Sequence, residues 1–288
     1  MKIIIIIILL FNILQMHSQF VKFSPAWFGP NANPVPEFTD ARIPAKTTIS
    51  LMGDHYFGYG DRTFNGYFKI EIPLLPHRGS LKLWSTVLEH YQITGEIASK
   101  RGMSGALSGK ANGDLYVQTR ALILNENKYK PNLILNITLK TSSGTGFTNR
   151  RYFDTPGYAF DLEAGKSILT GSKTLSEIRT VLNFGFFCWE TTGGRQNDAP
   201  VYGLKLILKN PNTSIENSIS GYHGWMHKHP LYGKDYGDNP LVYNIKVIQN
   251  VKNFKIFGQY QYGIRDYPYH QLRFGFTFEI PFLTPSYQ

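Results

Sequence analysis

The chain has 288 residues, a formal net charge of +10 and one cysteine. Its apolar content of 42% is too high for a disordered chain, and the single cysteine excludes an internal disulfide framework and any all-cysteine metal site. Charged residues make up only 17% of the chain, against about 25% in an average globular domain, whereas aromatic residues make up 15%. The composition is that of an ordered protein that is poor in charge and rich in Phe and Tyr.

Residues 1–18 have the pattern of a secretory signal peptide. Lys2 precedes an apolar run from Ile3 to Leu14, and a short polar stretch ends at Ser18. The run is shorter than the about 20 apolar residues of a membrane-spanning helix, which argues against the alternative of an N-terminal membrane anchor. We expect cleavage after Ser18 and export of the remaining chain.

Residues 19–46 form a segment rich in proline and asparagine. Five prolines argue against a helix and favour an extended arm, which could act as a plug or a strap. The pattern does not decide whether this arm enters the interior of a barrel. The prolines are Pro25, Pro30, Pro34, Pro36 and Pro44.

Residues 47–288 alternate between apolar and polar side chains with a period of two, which predicts β-strands. In the last strand Phe274, Phe276 and Phe278 alternate with Gly275 and Thr277. The strands are about ten to fourteen residues long, whereas a tilted transmembrane strand needs about nine to eleven and a globular strand averages five to six. Twelve strands are predicted, over residues 47–59, 63–75, 80–92, 114–125, 132–143, 157–168, 177–190, 200–209, 214–226, 240–250, 253–264 and 271–282.

Short and long connections alternate between these strands. The joints at 76–79 and 210–213 are short, whereas those at 93–113 and 144–156 are long. Transmembrane barrels have short periplasmic turns, long extracellular loops and an even strand number, and the sheet must close because hydrocarbon offers its edges no hydrogen bonds. The predicted fold class is therefore all-β: an antiparallel transmembrane β-barrel, with twelve strands favoured and the number fixed to within two.

Aromatic residues concentrate near the ends of the predicted strands. Phe57, Trp84, Trp189 and Tyr262 are examples, and we expect such residues in the two interface girdles of the barrel. A secreted β-sandwich adhesin is the alternative fold, but its strands would be shorter and its loops would not alternate in length.

The signal peptide, the alternating strands, the loop asymmetry and the aromatic-rich final strand together resemble the outer-membrane β-barrel proteins of Gram-negative bacteria. The resemblance covers residues 47–288 and identifies a class rather than a named family. It implies a location in the outer membrane and insertion by the barrel-assembly machinery. Many members end on an aromatic residue, whereas Phe282 is followed here by six further residues. Either Phe282 serves as the assembly signal or that signal is read differently.

Pointing the polar face of each strand inward predicts an excess of basic side chains in the lumen. A basic lumen would favour small polar or anionic solutes, although a narrow lumen could instead be filled by its own polar network. The predicted function is a structural barrel or a narrow, anion-leaning solute channel. The candidate lumen residues are Lys69, Glu71, Lys82, Arg120, Lys140, Arg179, Lys205, Lys246, Lys255, Arg265, Arg273 and Glu279, with Glu216 as a further acidic member.

The sequence also bears on nucleic acid and lipopolysaccharide as partners and on lipid-modifying activity. Basic residues are spread through the strands without a Lys/Arg run, which argues against nucleic acid. The basic pairs at 100–101 and 150–151 are expected to meet lipopolysaccharide phosphates at the outer-membrane surface. A lipid-modifying enzyme is the alternative function, but Ser85 and His90 fall on opposite faces of one strand. We expect no catalytic residue and no cofactor.

Three histidines would point to the same side of a continued strand and are candidate metal ligands. Imidazole groups are common ligands of divalent transition metals. Pro230 disrupts any strand that would carry them, so we expect interface histidines rather than a metal centre. The three are His223, His227 and His229.

Overall fold

A computed structural model describes residues 24–172, 174–191, 195–224, 236–252 and 254–285. Thirteen strands of this part of the chain form one antiparallel sheet, which closes because β2 pairs with both β1 and β3. Twelve strands make the wall, and the short β4 adds to β3 alone. The strands are β1 (Thr47–Phe57), β2 (Asp61–Leu75), β3 (Gly79–Ile93), β4 (Ser108–Ala111), β5 (Leu115–Leu124), β6 (Asn132–Lys140), β7 (Gly157–Leu169), β8 (Glu177–Thr191), β9 (Arg195–Lys209), β10 (Thr213–Tyr222), β11 (Leu241–Val251), β12 (Phe254–Arg265) and β13 (His270–Ile280).

The prediction of a closed antiparallel barrel with twelve wall strands is confirmed, and the β-sandwich is excluded. The largest difference in strand bounds is at β9, which begins at Arg195 rather than at residue 200. Residues 195–199 pair with β8 through the backbone. A hairpin that projects beyond the membrane needs no apolar alternation, so the sequence pattern indicated a loop there.

The outer face of the wall is apolar. Phe274, Phe276 and Phe278 of β13 are 66%, 46% and 39% exposed, and Leu182 and Phe184 of β8 are 57% and 67% exposed. A contiguous apolar surface of this size is typical of a face that meets lipid, as the alternating pattern predicted.

The two ends of the barrel differ in their connections. Three residues, 76–78, join β2 to β3, and three residues, 210–212, join β9 to β10. The opposite end carries the long connections, one of which contains the helix α1 (Gly95–Arg101) and β4. Barrels of this type turn their short connections to the periplasm, which makes the long-loop end extracellular.

The helix α1 was not predicted, because seven residues are too few for a helical period to show. It begins after Thr94, whose side chain accepts a hydrogen bond from the Ile97 amide, and it ends at Gly102 in the left-handed region. No helix among the described residues is long and apolar enough to cross a membrane.

The last strand ends at Ile280, where it pairs with Thr47 at the start of β1. Phe282 therefore lies beyond the strand, in a single 3₁₀ turn (Pro281–Leu283). After that turn the Thr284 hydroxyl accepts a hydrogen bond from the Thr47 amide at 2.8 Å. This bond joins the two ends of the barrel sheet.

The arm, residues 24–46, runs through the inside of the barrel. At the extracellular end the Phe28 ring packs on Phe153 of the loop after β6, with ring centroids 4.1 Å apart. At the periplasmic end the Lys46 Nζ lies 3.2 Å from Glu279 Oε2 near the end of β13. Between these points the arm is hydrogen-bonded to the wall along its length. The structure thus answers the question that the sequence left open: the arm is a plug.

Several aromatic residues face the lumen rather than the interface girdles. Trp84 stacks on Tyr116 inside the barrel, with ring centroids 5.0 Å apart, and Trp189 is 2% exposed within an interior cluster. Phe57 and Tyr262, by contrast, contact His270 on the outer side. The expected girdle thus holds for part of the aromatic set, because the arm gives the remaining rings an interior to pack against.

Candidate functional site: the arm-filled lumen

A buried ionic cluster closes the extracellular end of the lumen. Asp61 Oδ2 accepts hydrogen bonds from Arg101 Nη1 at 2.7 Å and from Arg151 Nη1 at 2.8 Å. Arg151 Nε donates to Glu89 Oε1 at 2.5 Å. The four side chains are at most 1% exposed. The arm joins this cluster through Asn31, whose Nδ2 donates to Glu89 Oε2 at 2.6 Å.

The loop members of this cluster are held in fixed protonation states. Burial alone would lower the pKa of the Arg151 guanidinium, but the adjacent Glu89 and Asp61 carboxylates raise that pKa above its ordinary value. Burial also raises the pKa of the Tyr152 phenol well above its usual range, and the Glu89 carboxylate adds to the rise. Arg151 therefore stays charged and Tyr152 stays neutral, so Tyr152 can donate to Glu89 Oε2 at 3.0 Å.

The burial of this cluster changes the expectation for the basic loop pairs. Arg101 and Arg151 are 3% and 0% exposed and cannot meet lipopolysaccharide phosphates. Their neighbours contact aromatic rings instead: Lys100 lies over Tyr59, and Arg150 lies over Phe28 of the arm. Arg101 and Arg151 thus lie inside the barrel mouth, whereas contact of the half-buried Lys100 and Arg150 with lipopolysaccharide stays a prediction.

Below the ionic cluster lies a buried aromatic layer. Val35 of the arm packs in a buried apolar cluster with Trp189, Tyr222 and other wall residues. The rings of Trp189 and Tyr222 meet edge to face, with centroids 5.5 Å apart. Asn33 Nδ2 donates to the Tyr222 hydroxyl at 2.9 Å, which fixes the arm to this layer.

In the periplasmic half, wall cations bind the backbone of the arm. Each of three basic side chains donates to a different carbonyl group of the arm, and the donors lie on β5, β8 and β9. Lys205 Nζ donates to the carbonyl of Phe38 at 2.5 Å, Arg179 Nε to that of Asp40 at 2.6 Å, and Arg120 Nη1 to that of Arg42 at 3.2 Å. These bonds do not depend on the side chains of the arm.

Two arginines link carboxylates across the lumen. Arg273 binds Asp54 of β1 through two hydrogen bonds of 2.6 and 2.8 Å, and its Nη1 lies 2.7 Å from Glu37 of the arm. Arg120 Nη1 donates to Glu71 at 2.6 Å. Paired and hydrogen-bonded charges of this kind are what a dry interior tolerates.

Open volumes remain beside the arm in the described part of the barrel. A central cavity of about 210 Å³ lies between the arm and one side of the wall, and a second of about 120 Å³ lies on an aromatic-lined side. Two vestibules of about 540 and 570 Å³ open at the periplasmic end. Among these volumes the two larger ones lie at the periplasmic end, whereas the smallest lies beside Asn31 and Tyr152 in the extracellular half.

The predicted lumen residues divide by depth. Lys69, Lys82, Lys205 and Lys246 line the central cavity. Lys140 lies at the extracellular end, where its Nζ is 2.8 Å from Asp114. Five further candidates bind the wall or the arm inside the lumen: Glu71, Arg120, Arg179, Glu216 and Arg273. The last two, Lys255 and Glu279, line the periplasmic vestibules.

Arg265 departs from the predicted inward orientation. A β-bulge shifts the register of β12 against β11 next to Leu241, so the alternation of side chains changes there. Arg265 is exposed at the barrel mouth, where its guanidinium donates to the Asn239 carbonyl at 2.9 Å and to the Tyr202 hydroxyl at 3.1 Å. A bulge leaves no signal in a two-residue period.

The interior charge is more balanced than the sequence indicated. Asp54, Glu89 and Glu163 are buried in the lumen and were missed in the sequence pattern. Among the described residues, eight basic and seven acidic side chains are buried. The alternation in β7 could have predicted Glu163. Phe160 and Leu162 are exposed on the lipid face, so the side chain of Glu163, one residue further, faces the lumen. The predicted basic lumen is therefore reduced to a local excess in the central cavity.

One of the three candidate histidines lies within the described residues. His223 follows β10 and is exposed, whereas His227 and His229 lie outside the described residues. No group of three potential metal ligands occurs in the part of the chain that the structure describes. His55 stacks on Phe64, with ring centroids 4.2 Å apart.

No protein-family model and no curated protein sequence matches the chain. Among solved structures, it is similar to an outer membrane channel from Pseudomonas putida F1, with 12% sequence identity and a TM-score of 0.57, over 85% of this chain and 100% of the other. It is also similar to the NanC porin, with 9% identity and a TM-score of 0.53, over 81% of this chain and 100% of the other. The closed twelve-strand wall and these similarities show the fold of a Gram-negative outer-membrane β-barrel, and the lipid-facing belt fits that location.

Proposed function

We propose that the chain is an outer-membrane channel that is closed by its own arm and passes small anionic or polar solutes when the arm moves aside. The observation that carries the proposal is the set of wall cations bound to the arm. Lys205, Arg179 and Arg120 each donate to an arm carbonyl, and Arg273 binds Glu37 of the arm. The arm thus occupies donors that an anion could use.

Withdrawal of the arm would leave these donors facing an open lumen. Each would keep a wall carboxylate, as Arg273 keeps Asp54 and Lys205 keeps Glu216. Residues 24–44 carry Glu37 and Asp40 against Arg42, so their withdrawal removes one net negative charge from the lumen. A modest preference for anions follows, rather than strong exclusion of cations.

The solved structures named above support the channel part of the proposal, since one is described as an outer membrane channel and the other as a porin. The dense packing of the extracellular half favours the second candidate, a structural barrel that never opens. The two candidates differ in what remains when the arm is removed.

The test is a reversal-potential measurement on protein that lacks residues 24–44. We expect single-channel steps in a planar bilayer and, in a KCl gradient, a reversal potential that indicates modest anion preference. A heat-dependent shift on a detergent gel would show that the variant folds. If it does not fold, the substitution Val35→Asp, which places a charge in the buried apolar cluster that holds the arm, replaces the deletion. Absence of steps in a folded variant, or clear cation preference, would overturn the proposal.

A further inference from the structure

We infer that the central cavity of the lumen is a binding site for a compact divalent oxyanion, with phosphate as the representative, and that the ammonium groups of Lys69 and Lys246 hold it. Both lysines line this cavity of about 210 Å³, which lies between the arm and the wall. The site is complete with the arm in place, so binding does not require the channel to open.

The inference begins with the carboxylates around the cavity, all of which have other cations. Glu37 lies 2.7 Å from Arg273 Nη1, and Glu216 lies 3.7 Å from Lys205 Nζ. Asp40 lies 3.9 Å from both Arg42 and Lys209. The negative charge at this cavity is therefore already shared with residues other than Lys69 and Lys246.

The other two lysines at the cavity are also engaged. Lys205 donates to the arm carbonyl of Phe38, and Lys82 Nζ lies 3.3 Å from Gln118 Oε1 and 4.7 Å from the centre of the Trp84 ring. Each of these two ammonium groups therefore already has an acceptor within hydrogen-bond distance.

Lys69 and Lys246 differ from these two. Within the described residues, neither has a hydrogen bond or an ion pair within 4.0 Å, and the recorded contact of Lys246 is with the face of the Phe257 ring at 4.2 Å. Glu216 lies opposite Lys246 in the register of β10 and β11, but within the described residues no carboxylate lies within 4.0 Å of either ammonium group. Each therefore lacks the close, hydrogen-bonded counter-charge that a buried charge needs. A small anion between them supplies it.

The remaining lining suits an oxyanion as well. Ser218 and Ser220 of β10 present hydroxyl groups, and Gln259 and Asn244 present amides that already pair with each other at 3.1 Å. Hydroxyl donors beside two ammonium groups favour several oxygen atoms over a halide. The volume limits the ligand to a small one.

The experiment measures phosphate binding to the full mature chain in detergent, by calorimetry in a chloride buffer. We expect saturable binding to one site, which Lys69→Gln with Lys246→Gln weakens at least tenfold. The matched control is Lys255→Gln, because Lys255 lies in the periplasmic vestibule, and we expect a change below twofold.

A second measurement needs no substitution. Lysines of the unmodified protein are acylated by a small amine reagent, and phosphate is expected to protect Lys69 and Lys246 but not Lys255. No binding, equal binding by the double variant, or equal protection of all three lysines would overturn the inference and leave two hydrated lysines. Phosphate binding without conduction by the arm-deleted chain would support this site and reject the proposed channel, so the two failures are distinguishable.

Discussion

The two halves of the lumen hold the same arm in different ways. In the extracellular half, side chains of the arm are buried among wall and loop residues: Asn31 binds Glu89, and Val35 packs among aromatic rings. In the periplasmic half, wall cations bind the backbone of the arm, and the open volumes lie beside it. We call the extracellular half, where arm side chains are buried, the seal. We call the periplasmic half, where wall cations bind the arm backbone, the cradle.

The two modes of attachment predict different costs of substitution. A dry ionic cluster requires every partner, because a single deletion leaves a buried charge unpaired. In the periplasmic half, hydrogen bonds to backbone carbonyls remain when an arm side chain is changed. The cavities beside the arm also give the side chains around a substitution room to move. Substitutions should therefore cost most at the extracellular end and least at the periplasmic end.

The largest effect is expected for Arg151→Ala. The substitution leaves Glu89 without a guanidinium and removes one of the two that Asp61 binds, so we expect a loss of about 3–5 kcal/mol in the free energy of unfolding. Urea unfolding in detergent measures it. The matched control Arg265→Ala removes an exposed arginine at the same end, and a change within about 0.5 kcal/mol is expected. Equal losses of unfolding free energy for the two variants would contradict the dependence of stability on the buried cluster.

A smaller but clear effect is expected for Gly29→Ala in the same half. A Cβ atom there would lie 2.5 Å from Cζ of Arg151, whose guanidinium is held by ion pairs and cannot move aside. Overpacking of this kind costs about 1–3 kcal/mol. Gly66→Ala is the control, since its Cβ meets nothing within 4 Å. A Gly29→Ala variant as stable as the Gly66→Ala variant would contradict the rigid seal.

A still smaller effect is expected for Gly203→Ala in the periplasmic half. The Cβ would again lie 2.5 Å from its neighbour, here Cε1 of Phe38. The Phe38 ring borders the central cavity and can swing into it, so we expect a loss below about 1 kcal/mol. The same urea titration compares it with Gly29→Ala. A larger loss at Gly203 than at Gly29 would reverse the assignment of seal and cradle.

The smallest effect is expected at the periplasmic exit of the arm. The Lys46 and Glu279 side chains are 51% and 43% exposed, and an ion pair in water contributes about 0–1 kcal/mol. Lys46→Gln should therefore leave the unfolding midpoint almost unchanged at moderate salt. A loss as large as that of Gly29→Ala would show that the periplasmic end also seals the arm.

The strands of the barrel wall could be predicted because the alternation that marks each strand lies within its own sequence. A strand that faces lipid on one side must alternate, and β13 shows this with three exposed phenylalanines. The prolines predicted an extended arm for a similar reason. The long hairpin of β8 and β9 escaped prediction because it pairs outside the membrane, where alternation is not required.

The site could be predicted only in part, because it depends on which elements meet across the lumen. Alternation predicted an inward Arg120 and Arg273, and applied to β7 it would also have revealed Glu163. It could not show that Arg179 would bind an arm carbonyl more than a hundred residues away, or that a bulge would turn Arg265 to the rim. Those outcomes depend on closure of the barrel around the arm.

The conductance of residues 19–288 is compared with that of the same chain without residues 24–44, in planar bilayers with the same salt on both sides. We predict few or no steps for the intact chain and stable steps for the folded deletion variant. Equal conductance of the two, whether open or silent, would contradict the claim that the arm closes the lumen.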